Sequence, residues 1–559
     1  MADRRRRKFW GWGYEDEQPG RAEVEETAAL ARDMLGFGGT EVRTPPRLED
    51  IHLPDSRLKA PASLSGIVTA DPYERVSHAY GKSYRDVVRA FHGEFPHPPD
   101  LVALPRDEKE TAAVLEWCAE ANAAVIPYGG GTSVTGGVEP LVGDAYAGTV
   151  TLDLGRLSGV VEVDPVSASA RILAGTTLPD ADAQLRPHGL TLRHYPQSYV
   201  HATVGGSIVT RAGGHYATGR THIDEFVQSV RALTPAGPWE SRRLPASGAG
   251  PSPDRILIGS EGVLGVVTEA WLRVQDRPLH RASASVRHRT FAEGARAARA
   301  VVRSGLQPAN CRLLDPGEAL LNGAGDGTSA VLILGFESAR HPQETLLSQA
   351  LECVREHGGE PVGEPRISRP EDADATQRGG QAPEQQWKDG FQAAPYLRDT
   401  LVATGILVET FETAVTWNRF DELDEAVLQA ARRAAEAACG TSVVNRRLTH
   451  VYPDGAAVYY TVLAPARRGS ETAQWDAVKA AVSEAILGAG GTITHHHAVG
   501  RDHRPWYDRQ RPDPFAAALD AVKGELDPHR ILNPGVLLPA PERSGPSAAH
   551  VLTRTRLLP

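Results

Sequence analysis

From residue 99 onward, short apolar runs alternate with amphipathic stretches. "PDLVALP" and "AAVIPY" are strand-like runs on either side of Glu108 to Ala121, where Val114, Leu115 and Cys118 share one helical face. Further strands are predicted at "GTVTLDL", "GVVEVDP" and "ASARILAGTT", followed by a helix ending near Pro187. Near residue 280 the rhythm changes to strand, helix, strand, strand, helix: "RASASVRH", "FAEGARAARAVVRSG", "ANCRLLD", "SAVLILGFES" and "QETLLSQALECVREHG". A similar order returns in "LVATGILVETFET", a helix with Phe420, Leu423, Val427 and Ala431 at helical spacing, "TSVVNRRLTHVY", "AAVYYTVLAP", "WDAVKAAVSEAILGAG" and a last strand "GTITHHH". Two such units predict split βαβ halves joined in one antiparallel sheet, a cap or lid domain.

Outside these regions the pattern is weaker. Residues 1–95 read as a mostly extended lead-in with scattered short helices, and Glu360 to Gln381, polar and rich in Pro, Gly, Asp and Arg, as an exposed loop. Phe515, Leu519, Val522 and Leu526 mark one face of a late helix, and the last twenty or so residues read as a loose tail.

At 559 residues the chain exceeds the usual limit of a single core, so two domains or one large composite are expected. A net charge of -10 argues against nucleic-acid affinity, which needs a basic surface. The exception is "RRRRK" at Arg4 to Lys8, which precedes the aromatic "FWGWGY". Two readings stay open for it, a solvated arm or peripheral contact with an anionic membrane surface. No apolar run approaches the roughly 20 residues that span a bilayer. Neither a secretory signal nor a peroxisomal address is evident, so a cytoplasmic chain is expected. Cys118, Cys311, Cys353 and Cys439 are too widely spaced for a CxxC motif and read as reduced, small apolar fillers.

The densest chemical signal is "PYGGGTSVTGG", Pro127 to Gly137, with five glycines in eleven residues. A tight turn needs one or two glycines, so this density points to a backbone lying against a ligand, with successive N–H groups forming a nest for phosphate oxygens. No Gly-Lys-Ser/Thr follows and no helix opens here, which excludes a Walker A loop and a GxGxxG fingerprint. Two further clusters, in "HATVGGSIVTRAGGHYATGR" and "LIGSEGVLGVVTEAWLRV", suit a long cofactor buried along its length.

These residues resemble a known group. "IPYGGGTSVTGG", "PQSYVHATVGGSIVTRAGG", "GSEGVLGVVTEAWLRV" and "ILNPGVLL" together are similar to the vanillyl-alcohol-oxidase type of FAD-binding flavoproteins, over about Pro99 to Leu538. The resemblance implies an α+β fold: a two-lobed FAD-binding domain with an α/β cap built on an antiparallel sheet. The implied organisation is a lead-in over 1–95, the FAD-binding domain over 96–278, the cap over 279–505, a segment 506–540 returning to the FAD domain, and a tail 541–559. The implied cofactor contacts are Pro127, Gly129, Gly130, Gly131, Thr132, Ser133 and Gly136 in the first cluster. The second contributes Pro196, Ser198, Thr203, Gly205, Gly206, Ser207, Thr210 and Arg211, and the third Glu261, Gly262, Gly265, Val266 and Val267. "YGGGTSV" offers neither histidine nor cysteine, so noncovalent FAD is expected.

Within that group, "WGWGY", "CRLLD", "APYLRD", "ETFET" followed by Trp417, and "HHHAVG" resemble the alkyldihydroxyacetonephosphate synthases, FAD enzymes of ether-lipid synthesis. The resemblance implies a reaction without net redox change, in which acyl-dihydroxyacetone phosphate exchanges its acyl chain for a fatty alcohol. It implies Tyr459 as a proton-transfer residue with His496 as partner and His495 and His497 beside it. Arg398 becomes the phosphate contact, and Arg312 and Arg447 further anion-binding candidates. Tyr460 is the rival to Tyr459, since alternation along a strand sends it to the opposite face. By the same alternation, three histidines ending a strand do not converge on a metal, and none is expected. A lipid-derived substrate and a homodimer also follow from the resemblance. The competing enzyme reading is an FAD-dependent dehydrogenase or oxidase of a 2-hydroxy acid such as D-lactate or glycolate, and a third reading is a flavin-binding interaction protein.

Overall fold

The computed structural model describes residues 5–39, 41–216, 218–370 and 394–540. The first lobe is built on a four-stranded sheet in the order Val68–Thr69, Leu101–Ala103, Gly148–Asp153, Ala123–Tyr128, with the last three strands parallel. The helix Glu108–Glu120 makes the crossover, capped by Asp107, whose carboxylate accepts the Glu110 N–H. The second lobe is an antiparallel sheet in the order Val160–Asp164, Ser169–Leu173, Val266–Arg273, Val227–Thr234, Gly237–Glu240. One apolar core, with Val125, Ile126, Leu152, Ile172, Val204 and Leu264 fully buried, joins the two lobes. The late segment returns to it: Val125 N–H donates to the Ile531 carbonyl at 2.8 Å, and Ile531, Leu532 and Val536 lie in the same core.

The cap is a seven-stranded antiparallel sheet in the order Glu360–Ser368, His280–His288, Ala330–Ser338, Asn310–Leu314, Val443–Val451, Gly455–Pro465, Ile406–Thr416. The two predicted halves meet where Asn310–Leu314 pairs with Val443–Val451. Helices Phe291–Arg303, Glu344–Arg355, Phe420–Cys439 and Glu471–Gly488 cover one face, and their apolar stripes fill a second core.

Four expectations need correction. Glu360–Ser368 is a strand, not a loop. It sits at the sheet edge with its side chains mostly exposed, so backbone pairing to His280–His288 holds it without any apolar alternation. Residues 371–393 and 541–559 lie outside the described residues. "LVATG" is not strand: residues 394–403 are helical and the strand begins at Ile406. "GTITHHH" is not strand either, because the amides of His495, His496 and His497 all turn onto the Glu412 carboxylate and are lost to any ladder.

The fourth correction is the lead-in. It contains a 15-residue helix, Arg21–Leu35, and the aromatic arm is buried. Phe9 and Trp10 join Tyr80, Phe91, Leu401, Ile406 and Trp475 in a third core, so neither reading of the arm holds for its aromatic part. Trp12 N–H donates to Asp399 at 2.9 Å, and a Cβ at Gly11 would overlap that carboxylate. Lys8 and Lys82 are buried beside it, and burial raises the pKa of Asp399 and lowers that of Lys82.

Candidate active site

A cavity of about 590 Å³ lies between the two lobes, the cap and the helix Arg21–Leu35. Its floor is formed by the three glycine clusters. Most of the predicted cofactor contacts line it: Pro127, Gly129 to Ser133, Pro196, Ser198, Thr203, Gly205 to Ser207, Thr210, Glu261, Gly262 and Gly265 to Val267. Gly136 and Arg211 do not. Gly136 makes a turn at φ +69 beside Arg85 and Asp502, and Gly137 lines the cavity in its place. Arg211 ends the helix Val204–Thr210 in the left-handed region and turns outward to Asp224 at 3.0 Å.

The glycines serve a closer purpose than the cofactor. A Cβ at Gly129 would overlap the Thr203 hydroxyl, one at Gly130 the His201 carbonyl, and one at Gly131 the Tyr128 hydroxyl. Bare backbone lets the first and second clusters interlock, and the cradle is the surface this leaves open. Arg7 of the arm donates to the Gly130 carbonyl at 2.6 Å from outside. Asn533, in "ILNPGVLL", bonds the carbonyls of Gly137 and Glu261 at 3.0 and 2.8 Å and closes the far wall. Glu261 accepts the Val499 and Gly500 amides at 2.8 and 2.7 Å, and burial raises its pKa to about 7 against those bonds.

The cap closes the cavity with polar groups. Tyr459 and Tyr460 are separated by the strand Gly455–Pro465: Tyr459 lines the cavity, while Tyr460 stacks on Phe411 in the cap core and donates to Asp424 at 2.9 Å. The Tyr459 hydroxyl reaches Gln197 of the second lobe at 3.4 Å, and the Arg447 guanidinium lies 3.8 Å over its ring. The rings of Tyr459 and His496 stack at 6.1 Å, neighbours without a direct hydrogen bond in this geometry.

Arg312, Arg398 and Arg447 all line the cavity and all are buried. Arg447 is paired with buried Glu318, and Arg312 donates to the His215 carbonyl at 2.8 Å. Arg398 donates to the Lys82 carbonyl at 2.8 Å, while its buried Nε has no partner among the described residues. Burial, with Arg447 alongside, lowers the pKa of Arg312.

His496 and His497 line the cavity, whereas His495 turns away to His222 and Tyr452. Burial presses all three imidazoles toward the neutral form, His497 to about 4. Burial also opposes the charge on Glu412, but His497 and His495 beside it, with the Thr494 hydroxyl and the backbone amides, outweigh it and hold the carboxylate ionised. His450, Gln197, Thr449, Glu318 and the mouth residues Thr27, Leu30, Ala31, Met34 and Leu35 also line the cavity and were not predicted. Their local sequence carries no glycine cluster, and they are brought to the cavity by elements far apart in the chain: the helix Arg21–Leu35, the strand Val443–Val451, Gln197 of the second lobe and Glu318 of the cap.

Residues 99–241 match the family model described as FAD binding domain, and residues 277–537 the one described as FAD linked oxidases, C-terminal domain. A solved structure of an alkyldihydroxyacetonephosphate synthase superposes with a TM-score of 0.77 at 24% identity, covering 94% of this chain and 98% of that one. An alkyldihydroxyacetonephosphate synthase of Trypanosoma brucei brucei is 29% identical over 511 residues, 86% of this chain and 80% of the relative. That of Caenorhabditis elegans is 30% identical over 475 residues, 82% of this chain and 79% of the relative.

The chain belongs to the alkyldihydroxyacetonephosphate synthase family.

Its cofactor is FAD, and the residues present fit it. The interlocked clusters present side-chain-free backbone along the floor, and the Thr203-capped start of the helix Val204–Thr210 opens on the cavity. Apolar walls at Leu154, Ala174, Val266 and Val267 suit the flat ring system. In this member of the alkyldihydroxyacetonephosphate synthase family, Tyr459, His496, His497 and the three arginines stand where the cap faces that floor.

Proposed function

We propose that the protein is an FAD-dependent alkyldihydroxyacetonephosphate synthase that exchanges the acyl chain of acyl-dihydroxyacetone phosphate for a fatty alcohol. The observation that carries this is the polarity of one cavity. Three buried arginines stand with Tyr459 and His496 at the cap end, and an apolar mouth of Leu30, Ala31, Met34, Leu35, Leu321, Leu397 and Leu401 lies beside them. A phosphate-bearing ketone with a long chain needs both. A 2-hydroxy acid needs an anion site but no apolar mouth, which disfavours that reading.

Arg398, with an unspent Nε, receives the substrate phosphate, and Arg312 and Arg447 add to the cationic pole. The ketone acidifies the adjacent C–H, and Tyr459 takes and returns that proton with His496 alongside. When held along the glycine floor, FAD would supply an electrophilic ring to the activated carbon. Gln197 orients the Tyr459 hydroxyl. The mouth holds the leaving and entering chains and keeps water from the centre. Leu30 and Met34 are exposed there, and we read the protein as a cytoplasmic one that meets lipid surfaces through this mouth and not through the buried aromatic residues of the arm.

The test is product analysis by mass spectrometry with acyl-dihydroxyacetone phosphate and hexadecanol, anaerobically and without an electron acceptor. The expected products are the alkyl ether and the free fatty acid. Flavin bleaching by D-lactate, with no ether formed, would sink the proposal in favour of the dehydrogenase.

A further inference from the structure

Exchange of an acyl chain for an alcohol, the reading proposed above and the one this inference rests on, releases one proton per turnover. The bond from the ketone-side carbon to the acyl oxygen breaks, the ether C–O bond forms, the acyl group leaves as a carboxylate, and the alcohol proton is left over. Nothing is oxidised or reduced. The reacting end of the cavity is enclosed by Tyr459, Arg312 and Arg447, all buried, so that proton needs a way out.

Three imidazoles lie in file from the cavity outward. His496 lines the cavity, and its Nδ1 is 3.1 Å from Nδ1 of His495. His495 Nε2 lies 3.1 Å from Nε2 of His222 and 2.8 Å from the Tyr452 hydroxyl. His222 is only half-buried, and its Nδ1 lies 3.1 Å from the Arg211 carbonyl.

That last bond sets every tautomer in the file. A carbonyl only accepts, so His222 Nδ1 carries its proton and Nε2 of the neutral ring is a lone pair. His495 then donates from Nε2, an N–H shared between His222 and the Tyr452 hydroxyl, and accepts at Nδ1, so His496 donates from Nδ1. What remains is a bare Nε2 on His496, the ring that faces the substrate. A proton accepted there moves the Nδ1 proton of His496 to His495 and the Nε2 proton of His495 to His222, which passes a proton to water. Each hop breaks one N–H bond and forms another.

We infer that His496, His495 and His222 form a proton-exit relay between the reacting centre and solvent, with His222 as its outer terminus. The surroundings suit such a path. Gly213 leaves space where the imidazoles gather: a Cβ there would lie 3.1 Å from His496 Cβ and 3.2 Å from His450 Cε1. Burial keeps the inner rings neutral at rest, so a proton entering the file is not trapped in it. The groups facing His222 are the Glu225 carboxylate, which accepts its backbone N–H at 3.0 Å, the Arg211 and Asp224 pair, Tyr452, and the ring of His450 at 5.9 Å.

The test uses the FAD-loaded enzyme and His222→Gln, which can still donate to the Arg211 carbonyl but cannot pass a proton. In weak buffer its kcat for ether formation should fall on the order of 10²-fold, the lower range for loss of a proton-transfer group. KM and the flavin spectrum should be unchanged, and added imidazole, but not equal sodium chloride, should restore the rate. A variant at the native rate, or a loss that imidazole does not restore, overturns the relay. A second measurement is independent of activity: ring 15N NMR of histidine-labelled native protein should show His222 protonated at Nδ1 and His495 at Nε2. The opposite tautomers overturn the relay, as does one tightly held metal ion per chain on His450, His495 and His496, whose nitrogens gather within 4.8 Å. Absence of ether product in the native enzyme counts against the parent reading alone, since the NMR result stands apart from it.

Discussion

Tyr459 and Tyr460 are chemically identical neighbours whose surroundings give them different work. Strand alternation shows from sequence alone that they point apart, but which one meets the substrate depends on partners from elsewhere in the chain. Asp424 of the helix Phe420–Cys439 claims Tyr460, and Gln197 of the second lobe claims Tyr459. Tyr459→Phe should therefore lower kcat by roughly 10²- to 10⁴-fold while leaving the melting temperature near native. Tyr460→Phe should do the reverse, destabilising by about 1–3 kcal/mol because the buried Asp424 Oδ1 loses its donor while Arg446 keeps only the other oxygen, and turnover survives. Parallel denaturation and steady-state kinetics distinguish them, and equal effects in both variants would undo the assignment. The arginines show the same division: the resemblance marked Arg312, Arg398 and Arg447 as anion binders, yet only the fold buries Arg398 and sets Arg447 over the Tyr459 ring.

At the scale of elements, those with an apolar period were legible, and those without one, such as the edge strand Glu360–Ser368, were not. Helices such as Phe291–Arg303 and Phe420–Cys439 carry apolar stripes that report burial directly. The arm and the histidine turn carry no period, because single long-range contacts hold them. For the arm that contact is Asp399, which takes the Trp12 amide and lies beside buried Lys8 and Lys82. Asp399→Ala leaves both ammonium groups without that carboxylate, and loss of one partner from a buried ion pair costs about 3–5 kcal/mol. The expected readouts are a lower melting temperature and protease cleavage within residues 5–20, with the cap still protected. Unchanged protection of the arm would show that its aromatic packing alone suffices. For the histidine turn the contact is Glu412, whose carboxylate gathers three amides and so converts an apparent strand end into a cluster of rings.

In the molecule as a whole, lobes and cap are closed on one another by segments distant in sequence, and Glu261 is one such closure. Its carboxylate receives the amides of Val499 and Gly500, just beyond the histidine turn, and its pKa is raised to about 7 by burial. A carboxyl raised in the folded state favours folding fully below its unfolded pKa of about 4.5 and loses that contribution as pH rises through about 7. Melting of the native protein and of Glu261→Gln at pH 5 and pH 8 should show the variant's deficit largest at pH 5 and smaller at pH 8. A deficit that grows with pH would mean that the amides hold Glu261 ionised. By itself the sequence determined most strands and helices of the lobes and cap, the pairing of two cap halves and the glycine clusters, because propensity, periodicity and steric bareness are local properties of the chain. Only the tertiary structure decided which tyrosine faces the cavity, where the aromatic arm rests, what the glycines interlock with, and how the imidazoles line up. Those outcomes depend on contacts between residues tens to hundreds of positions apart, which no local pattern encodes.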